Sequence, residues 1–597
     1  MNLQETIKYI DEHPDQKIVK AHTADSDFTI DKGVTAEAKK WLNHNQYTPT
    51  EGITELRQAI AEKYKVRPDN ILVGCGSRHL LFGLPFISSK NQCNFLLPDP
   101  EWAHELVEVY WRDKHVVQRV SWENNDPEDK FVSRLIENIT QDTDFIVLSN
   151  PNNPTGRVLS ESSIRQIVKA SEKNNCLFIE DRAYEDLIIS RKKLVKPVSD
   201  SHIILGTVSK AYAMTGYRVG YLVATNEEVI TRFRNYIYQS VQCIPYFTQK
   251  AAVKALQNQT DIVSRYKQIY RKRLQAVKKI FYTYEVEYIN PQAYPFVYIS
   301  TGNINSELIT EELLKRGVAV VASNEFSQNI NYFRFALMDE VKSLRQAAME
   351  IASLIGKKPT SRQQKAIQKY FTDHQNYQTY CTTMFDNHRV LDRFYIGKDV
   401  LRPDKSWVSY ALTDFLLKNN WMYKNKKVLD MGAGQGIQGI ACAVKGAKEV
   451  VMAEIEETGI ENIKANINLF NLENKVKVTK SDLFVNVSKQ KFDVIIFNHP
   501  FFPYESSDAI SRVIYSGSDL LDRFFKDVKE YSHENTVIVM PFSDIAPFYN
   551  NPKRFAFEYH YNFKEMELQN NHGKQSIFLI GKSNKQLELA SKKGLNE

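Results

Sequence analysis

Apolar positions along this chain fall into two alternating series. Short runs of β-branched and aliphatic residues, "NILVGCG" (Asn70–Gly76), "DFIVLSN" (Asp144–Asn150), "CLFIED" (Cys176–Asp181) and "HIILGTVSK" (His202–Lys210), read as strands buried on both faces. Longer segments with apolar residues at helical spacing lie between them, such as "SIRQIVKASEKNN" (Ser163–Asn175). This alternation predicts βαβ units around a largely parallel sheet, and it holds to about Ile355. The texture then changes. "GKKPTSRQQKAIQKYFTDHQNYQTY" is polar, carries a Pro and offers no strand, which predicts a linker near residues 356–365 and then a helical segment. A second series opens at "KKVLDMGAGQG" and continues through "EVVMAEI", "VKVTKSDLF", "FDVIIFN" and "TVIVMPF". Its last runs, near "FAFEYHYNF" and "QSIFLIGKS", are expected to pair antiparallel at the edge. The expected organisation is an α/β domain over residues 1–355, a linker and helical segment over 356–394, and a second α/β domain over 395–597.

Length supports two cores, since 597 residues exceed what one ordinary domain holds. Hydrophobic residues make up 43% and charged residues 25%, as in soluble globular chains. No run of eighteen apolar residues marks a membrane span, and "MNLQETIKYIDEHPDQ" has no apolar signal core. Six scattered cysteines (Cys75, Cys93, Cys176, Cys243, Cys381 and Cys442) show no paired spacing. They read as reduced thiols, so a cytoplasmic location is expected. A net charge of +7 suits anionic ligands but is too small an excess to indicate nucleic acid.

Candidate chemistry in the first series centres on "TVSKAYAMTGYRVGY". Lys210 follows two hydroxyls, Thr207 and Ser209, and precedes Arg218. A lysine that attacks a carbonyl needs surroundings that lower its pKa, and a phosphate beside it needs hydroxyls and a guanidinium. "SNPNNPTG" (Ser149–Gly156) ends one strand with Asn153, and "IEDRAYEDL" ends another with Asp181 and Tyr184. A strand-end Asp can pair with a protonated pyridine nitrogen, although such residues more often cap helices or make turns. Taken in this order and spacing, the residues over roughly 20–355 resemble the fold-type I, class I/II aminotransferases that use pyridoxal 5'-phosphate.

The resemblance implies a large parallel-rich sheet with a smaller domain, and a set of roles. Lys210 would bond the cofactor aldehyde and move the substrate's α-proton. Asp181 would meet the ring nitrogen, and Asn153 and Tyr184 the ring hydroxyl. Thr207, Ser209 and Arg218 would hold the phosphate, joined by Gly76, Ser77 and Arg78 of "VGCGSRH". Trp102 of "PDPEWAHE" would stack on the ring, and Arg334 of "YFRFALM" would clamp the substrate carboxylate. Tyr47 of "YTPTEG" would reach the phosphate of a neighbouring subunit, which implies a homodimer acting on amino and keto acids.

In the second series, "VLDMGAGQGIQGI" places Asp430, Gly432, Gly434 and Gly436 between a strand and a helix. Glycines let the backbone approach a ligand, but the loop alone does not separate a dinucleotide from S-adenosyl-L-methionine. Glu454 at the next strand end suits ribose hydroxyls, and Asp482 suits an adenine amino group. This spacing, over roughly residues 395–597, resembles the class I S-adenosylmethionine methyltransferases, which implies a Rossmann-like sheet. "FDVIIFNHPFF" resembles the Asn-Pro-Pro-aromatic loop of a subgroup that methylates amide or amino nitrogens. There Asn498 would accept hydrogen bonds from the acceptor amine, Phe501 would stack on it, and Pro500 would lie on the substrate side with them. His499 stands where the subgroup has its first Pro. It is open to two readings, an acceptor-side group or a structural one.

The two halves together imply a bifunctional enzyme of amino-acid metabolism that uses pyridoxal phosphate and S-adenosylmethionine. The alternative is a protein or nucleic-acid N-methyltransferase whose aminotransferase-like half serves dimerisation or regulation. No dense Lys/Arg run flanks the aromatic loop to support it. No metal site is expected.

Overall fold

A computed structural model describes residues 3–102, 114–123, 126–373, 379–385, 388–397, 400–403, 406–504, 514–517, 519–570, 573–584 and 587–588. The chain divides into two compact units, Met1–Ile351 and Ala352–Glu597.

The first unit is built on a seven-stranded sheet of β1 (Ile71–Gly74), β2 (Asn94–Asp99), β3 (Val116–Ser121), β4 (Phe145–Ser149), β5 (Leu177–Asp181), β6 (His202–Thr207) and β7 (Gly220–Val223). The order is β1-β7-β6-β5-β4-β2-β3, and only β7 runs antiparallel to its neighbours. The central strands are buried along nearly their whole length, which explains their unbroken apolar runs. Helix α1 (Ser77–Phe82) follows β1, and α2 (Glu161–Lys173) covers the sheet between β4 and β5. Ser160 caps α2 by accepting from the Ser163 amide at 3.3 Å. Ile164, Ile167, Val168 and Ser171, at helical spacing, form its buried face, and the three apolar ones pack with Leu96, Ile146, Leu148 and Phe178. Truncating Ile167 to Ala would cost about 2–5 kcal/mol in such a core.

A second, antiparallel sheet of β8 (Tyr288–Ile289), β9 (Phe296–Ser300), β10 (Val321–Ala322) and β11 (Tyr332–Ala336) runs in the order β10-β11-β9-β8. Its short strands left little period in the sequence, but β11 delivers Arg334.

In the second unit, helix α3 (Ser361–Asp373) comes first. The chain then forms a two-stranded antiparallel hairpin, Thr379–Phe385 with His388–Ile396. This corrects the expected strandless helical segment over 356–394. The stretch from Tyr377 to Ile396 is rich in Thr, Tyr, Phe, Val and Ile around an Asp-Asn pair, a composition that favours a hairpin. The sheet beyond it contains β12 (Lys427–Met431), β13 (Glu449–Glu454), β14 (Val476–Lys480), β15 (Phe492–Phe497), β16 (Ser532–Ser543), β17 (Asn562–Asn570) and β18 (Gly573–Gly581). The order is β14-β13-β12-β15-β16-β18-β17, with β18 antiparallel to β16 and β17. The final pair is therefore antiparallel as expected, but its first strand starts at Asn562. "FAFE" instead belongs to helix Pro552–Glu558, capped by Asn551. Helix α4 (Ile437–Val444) follows β12. Strand order reverses between β12 and β15, so the loops after these two strands meet at the crevice where open α/β sheets bind ligands.

Candidate active sites

The first site lies at the carboxyl ends of β4, β5 and β6. Asp181 closes β5 and is 2% exposed. Its carboxylate accepts from the Ala183 amide at 3.0 Å and from the Trp102 indole N–H at 3.1 Å. Burial pushes its pKa up to about 6, against the pull of these bonds and of the Lys210 charge. Such an anion wants a cation, which a protonated ring nitrogen supplies. Lys210 is partly buried, with Nζ 3.3 Å from the Ala24 carbonyl oxygen. Burial lowers its pKa to about 8, with Asp25 opposing and Arg334 and Arg218 adding to the shift. Tyr184 is buried edge-on to Phe296, and burial holds its phenol well above the usual range, so it stays a proton donor.

Arg334 projects from β11 between the rings of Phe296 and Phe326, at 4.4 and 4.7 Å. Its guanidinium donates to Asn153 Oδ1 at 3.0 Å and to the His22 carbonyl at 2.8 Å. Its buried Nε–H has no hydrogen-bond partner among the described residues. Burial lowers its pKa to about 10, so it remains a cation at neutral pH and suits a carboxylate ligand.

The Thr207 and Ser209 hydroxyls lie 2.8 Å apart, and Thr207 donates to the Val219 carbonyl at 2.9 Å. Arg218 is exposed and reaches the Cys75 carbonyl at 3.4 Å. Gly76 precedes α1 with φ +78°, and a Cβ there would sit 2.4 Å from Arg218 Nη2. A Cβ on Gly220 would sit 2.3 Å from the Ser77 amide nitrogen. Two glycines thus let strand, turn and guanidinium converge into a cup. Arg78 packs over the Trp102 ring at 5.3 Å. Tyr47 is 79% exposed and stands apart from the buried cluster.

Glu101 was not anticipated from the sequence, because a lone Glu beside Trp102 carries no spacing signal. It is 1% exposed and accepts from Ser149 Oγ at 2.6 Å, the Ser149 amide at 2.9 Å and the Trp102 amide at 2.8 Å. Burial pushes its pKa up to about 7. It ties Trp102 to the strand end that carries Asn153, whose amide donates to Ser149 Oγ at 3.1 Å.

The second site occupies the crevice between the β12 and β15 loops. Asp430 is buried on β12 and accepts from the Gly439 amide at 2.8 Å, bracing the start of α4. Its pKa is pushed up to about 7 by burial, with the nearby Glu454 charge adding. Gly432, Gly434 and Gly436 have φ of +60°, +54° and +83°, the left-handed region glycine favours. Glu454 ends β13 and accepts from the Gly434 amide at 2.6 Å and from the Ile455 and Glu456 amides at 2.7 and 2.9 Å. Asp482 follows β14 and accepts from Arg523 Nη1 at 2.9 Å. These loops, with Asn498 and Pro500, line a cavity of about 290 Å³. An adjoining cavity of about 250 Å³ is lined by Asn498, His499 and Phe501. Gly432, Gly434, Gln435, Leu401 and Asn498 face both.

His499 is 2% exposed, donates from Nε2 to the Asn550 carbonyl at 3.0 Å, and packs edge-on against Phe501. Burial lowers its pKa to about 4, so the ring is neutral at physiological pH.

Comparison with known proteins agrees with this geometry. Residues 20–349, over half the chain, match the family model for aminotransferase class I and II, and the protein belongs to that family. Residues 409–523 match the methyltransferase small domain. The aspartate aminotransferase of Thermococcus kodakarensis is 29% identical over 315 residues, covering 52% of this chain and 82% of that protein. The asparagine–oxo-acid transaminase of Streptococcus mutans is 26% identical over 356 residues, covering 55% and 90%. The solved aspartate aminotransferase from Thermus thermophilus with maleate superposes with a TM-score of 0.54 at 25% identity, over 58% of this chain and 94% of that one.

The chain is therefore an enzyme that fuses an aminotransferase to a methyltransferase, with pyridoxal 5'-phosphate and S-adenosyl-L-methionine as its cofactors. The residues present fit both. The first site offers a buried acid in need of a cation, a lysine of lowered pKa and a glycine-lined cup. The second offers a glycine loop and two acids around one cavity. No helix among the described residues is long and apolar enough to cross a membrane, and no cluster that could hold a metal occurs among them.

Proposed function

We propose that this enzyme transaminates an α-amino acid at the first site and transfers a methyl group to a heteroatom, nitrogen in our reading, of a related substrate at the second. The observation that carries the reading is the convergence of Lys210, Asp181, Asn153, Tyr184 and Arg334 on one buried site, together with an acceptor cavity that opens on the cofactor cavity at Asn498. Pyridoxal phosphate supplies an electron sink for the α-carbon's electrons. Arg334 orients the substrate carboxylate, Lys210 takes and returns the α-proton, and Asp181 keeps a positive charge on the ring nitrogen. Thr207, Ser209, Gly76, Ser77 and Arg218 hold the phosphate, and Trp102 holds the ring plane. The exposed Tyr47 suits a role toward a partner subunit in a homodimer, and the chain works in the cytoplasm. At the second site, Glu454 and Asp482 bind the nucleoside, and Asn498 and Phe501 position the acceptor. Methyl transfer then gains mainly from alignment.

Paired variants test this assignment. Lys210→Ala abolishes the cofactor's visible spectral response to amino acids and leaves S-adenosylmethionine binding intact. Asn498→Ala does the reverse, sparing the spectral response and depressing methyl transfer. If one variant silenced both halves, or neither, the division of labour would be wrong.

A further inference from the structure

Helix α3 lies outside both family-matched stretches, 20–349 and 409–523, yet it walls the cavity beside Asn498. It is fastened there. Gln363 is 2% exposed and donates to the Ser353 and Ile545 carbonyls, each at 2.9 Å. Ile367 packs into a small core with Phe502 and Ile514, on the chain that continues from the Asn498 loop. The cavity's apolar wall includes Ile367, Phe501, Phe502, Ile514 and Ile545.

Several of its polar side chains are already bonded within the protein: Gln435 and Gln438 donate to Ser409 Oγ, Ser406 Oγ accepts from the Ser409 amide, and His499 bonds the Asn550 carbonyl. Three of the others differ in kind. Asn498 stands at the cofactor end. Gln575 is 7% exposed, and its amide oxygen lacks a hydrogen-bond partner among the described residues, so it is an acceptor in want of an N–H. Lys369 is exposed and also lines the cavity. None of the described lining residues is acidic. At about 250 Å³ the cavity falls below the range of about 300–1,000 Å³ typical of drug-sized ligands. An N–H acceptor, an apolar wall and one cation, with no acid among the described lining residues, suit a small molecule that carries an amine, an apolar body and a carboxylate.

We infer that the methyl acceptor is an apolar α-amino acid, with its amine toward Asn498 and Gln575 and its carboxylate toward Lys369, and that α3 sets this specificity through Ile367 and Lys369. The inference rests on the methyltransferase reading of this site. In the step, the neutral amine's lone pair bonds the methyl carbon. The carbon–sulfur bonding pair stays on sulfur, giving S-adenosylhomocysteine, and the surplus N–H proton passes to water.

The test uses the full chain, its pyridoxal phosphate fixed on Lys210 by borohydride reduction, loaded with S-adenosylhomocysteine and titrated calorimetrically with three probes. L-phenylalanine carries both polar groups, L-phenylalaninol lacks the carboxylate, and 3-phenylpropionate lacks the amine. The binding that Ile367→Trp removes is the reading, since that substitution fills this cavity and leaves the aminotransferase site untouched. Within it, L-phenylalanine binds about fivefold more tightly than L-phenylalaninol, the upper end for an exposed charge pair, and Lys369→Gln erases the preference. 3-Phenylpropionate binds more weakly than L-phenylalanine in both forms. Equal affinities for the three probes, or binding indifferent to Ile367→Trp while S-adenosylhomocysteine still binds, overturns the inference alone. Failure of S-adenosylhomocysteine itself to bind overturns the methyltransferase reading beneath it.

Discussion

Replacing Asp181 by Asn isolates what the first site asks of its cofactor. The carboxyl is 2% exposed, and burial raises its pKa from 3.8 to about 6. In the folded, cofactor-free protein the group holds its proton up to about pH 6, whereas the unfolded chain releases it near 3.8. The folded state therefore binds more protons between these values, and its stability falls as pH rises through them. Above pH 6 the full penalty is present, about 3 kcal/mol for a shift of roughly two units. Asn removes that penalty but cannot accept from both the Ala183 amide and the Trp102 indole, which returns about 1 kcal/mol. The cofactor-free Asn variant is thus about 2 kcal/mol more stable than wild type at pH 7.5, and most of this gain is gone by pH 5. Urea unfolding of both proteins across this range reads the difference. The same variant binds pyridoxal phosphate more weakly, because the ring's positive charge has lost its counterion. A cofactor-free Asn variant less stable than wild type at pH 7.5, or one that keeps full cofactor affinity, would refute the reasoning.

Three further outcomes follow from the geometry. Reattachment of pyridoxal phosphate to cofactor-free enzyme needs the neutral Lys210 amine, so its rate climbs as pH rises through about 8 and then levels off, as stopped-flow absorbance will show. Gly76→Ala places a methyl 2.4 Å from the Arg218 guanidinium at a φ of +78°; it costs about 1–3 kcal/mol of stability and weakens phosphate-dependent cofactor retention, seen by thermal melts with and without inorganic phosphate. His499 stays neutral above pH 5, so no inflection in methyl transfer between pH 6 and 8 traces to it; His499→Phe keeps the pH profile and loses about 1 kcal/mol of stability with the bond to Asn550.

Strand ends were the legible part of this chain. Asp181, Thr207, Asp430 and Glu454 each close an apolar run, so both the fold and the placement of these side chains could be read together. What escaped notice depended on contacts distant in sequence. Glu101 matters because Ser149 lies 48 residues away on the neighbouring element; Arg334 and Asn153 were each named from the resemblance, but their bond to one another spans 181 residues and carries no sequence signal. The hairpin at 379–396 was missed because a polar stretch ahead of it masked a change of period. Helix α3 was legible as a helix but not as a cavity wall, since nothing in its own sequence says that Ile367 meets Phe502 and Ile514. His499 shows the same limit: a histidine in a loop reads as titratable until burial against Phe501 shows it held neutral.

The central claim is that one chain performs two group transfers on amino-acid substrates. Incubating the purified protein with both cofactors, a keto acid and a panel of amino acids, and following products by mass spectrometry, tests it most directly. The account predicts that some members of the panel lose their amino group to the keto acid and that at least one apolar member gains a single methyl group, the first lost in Lys210→Ala and the second in Asn498→Ala. Transamination with no methylated small molecule, and label from S-adenosylmethionine appearing only in added protein or nucleic acid, would contradict it.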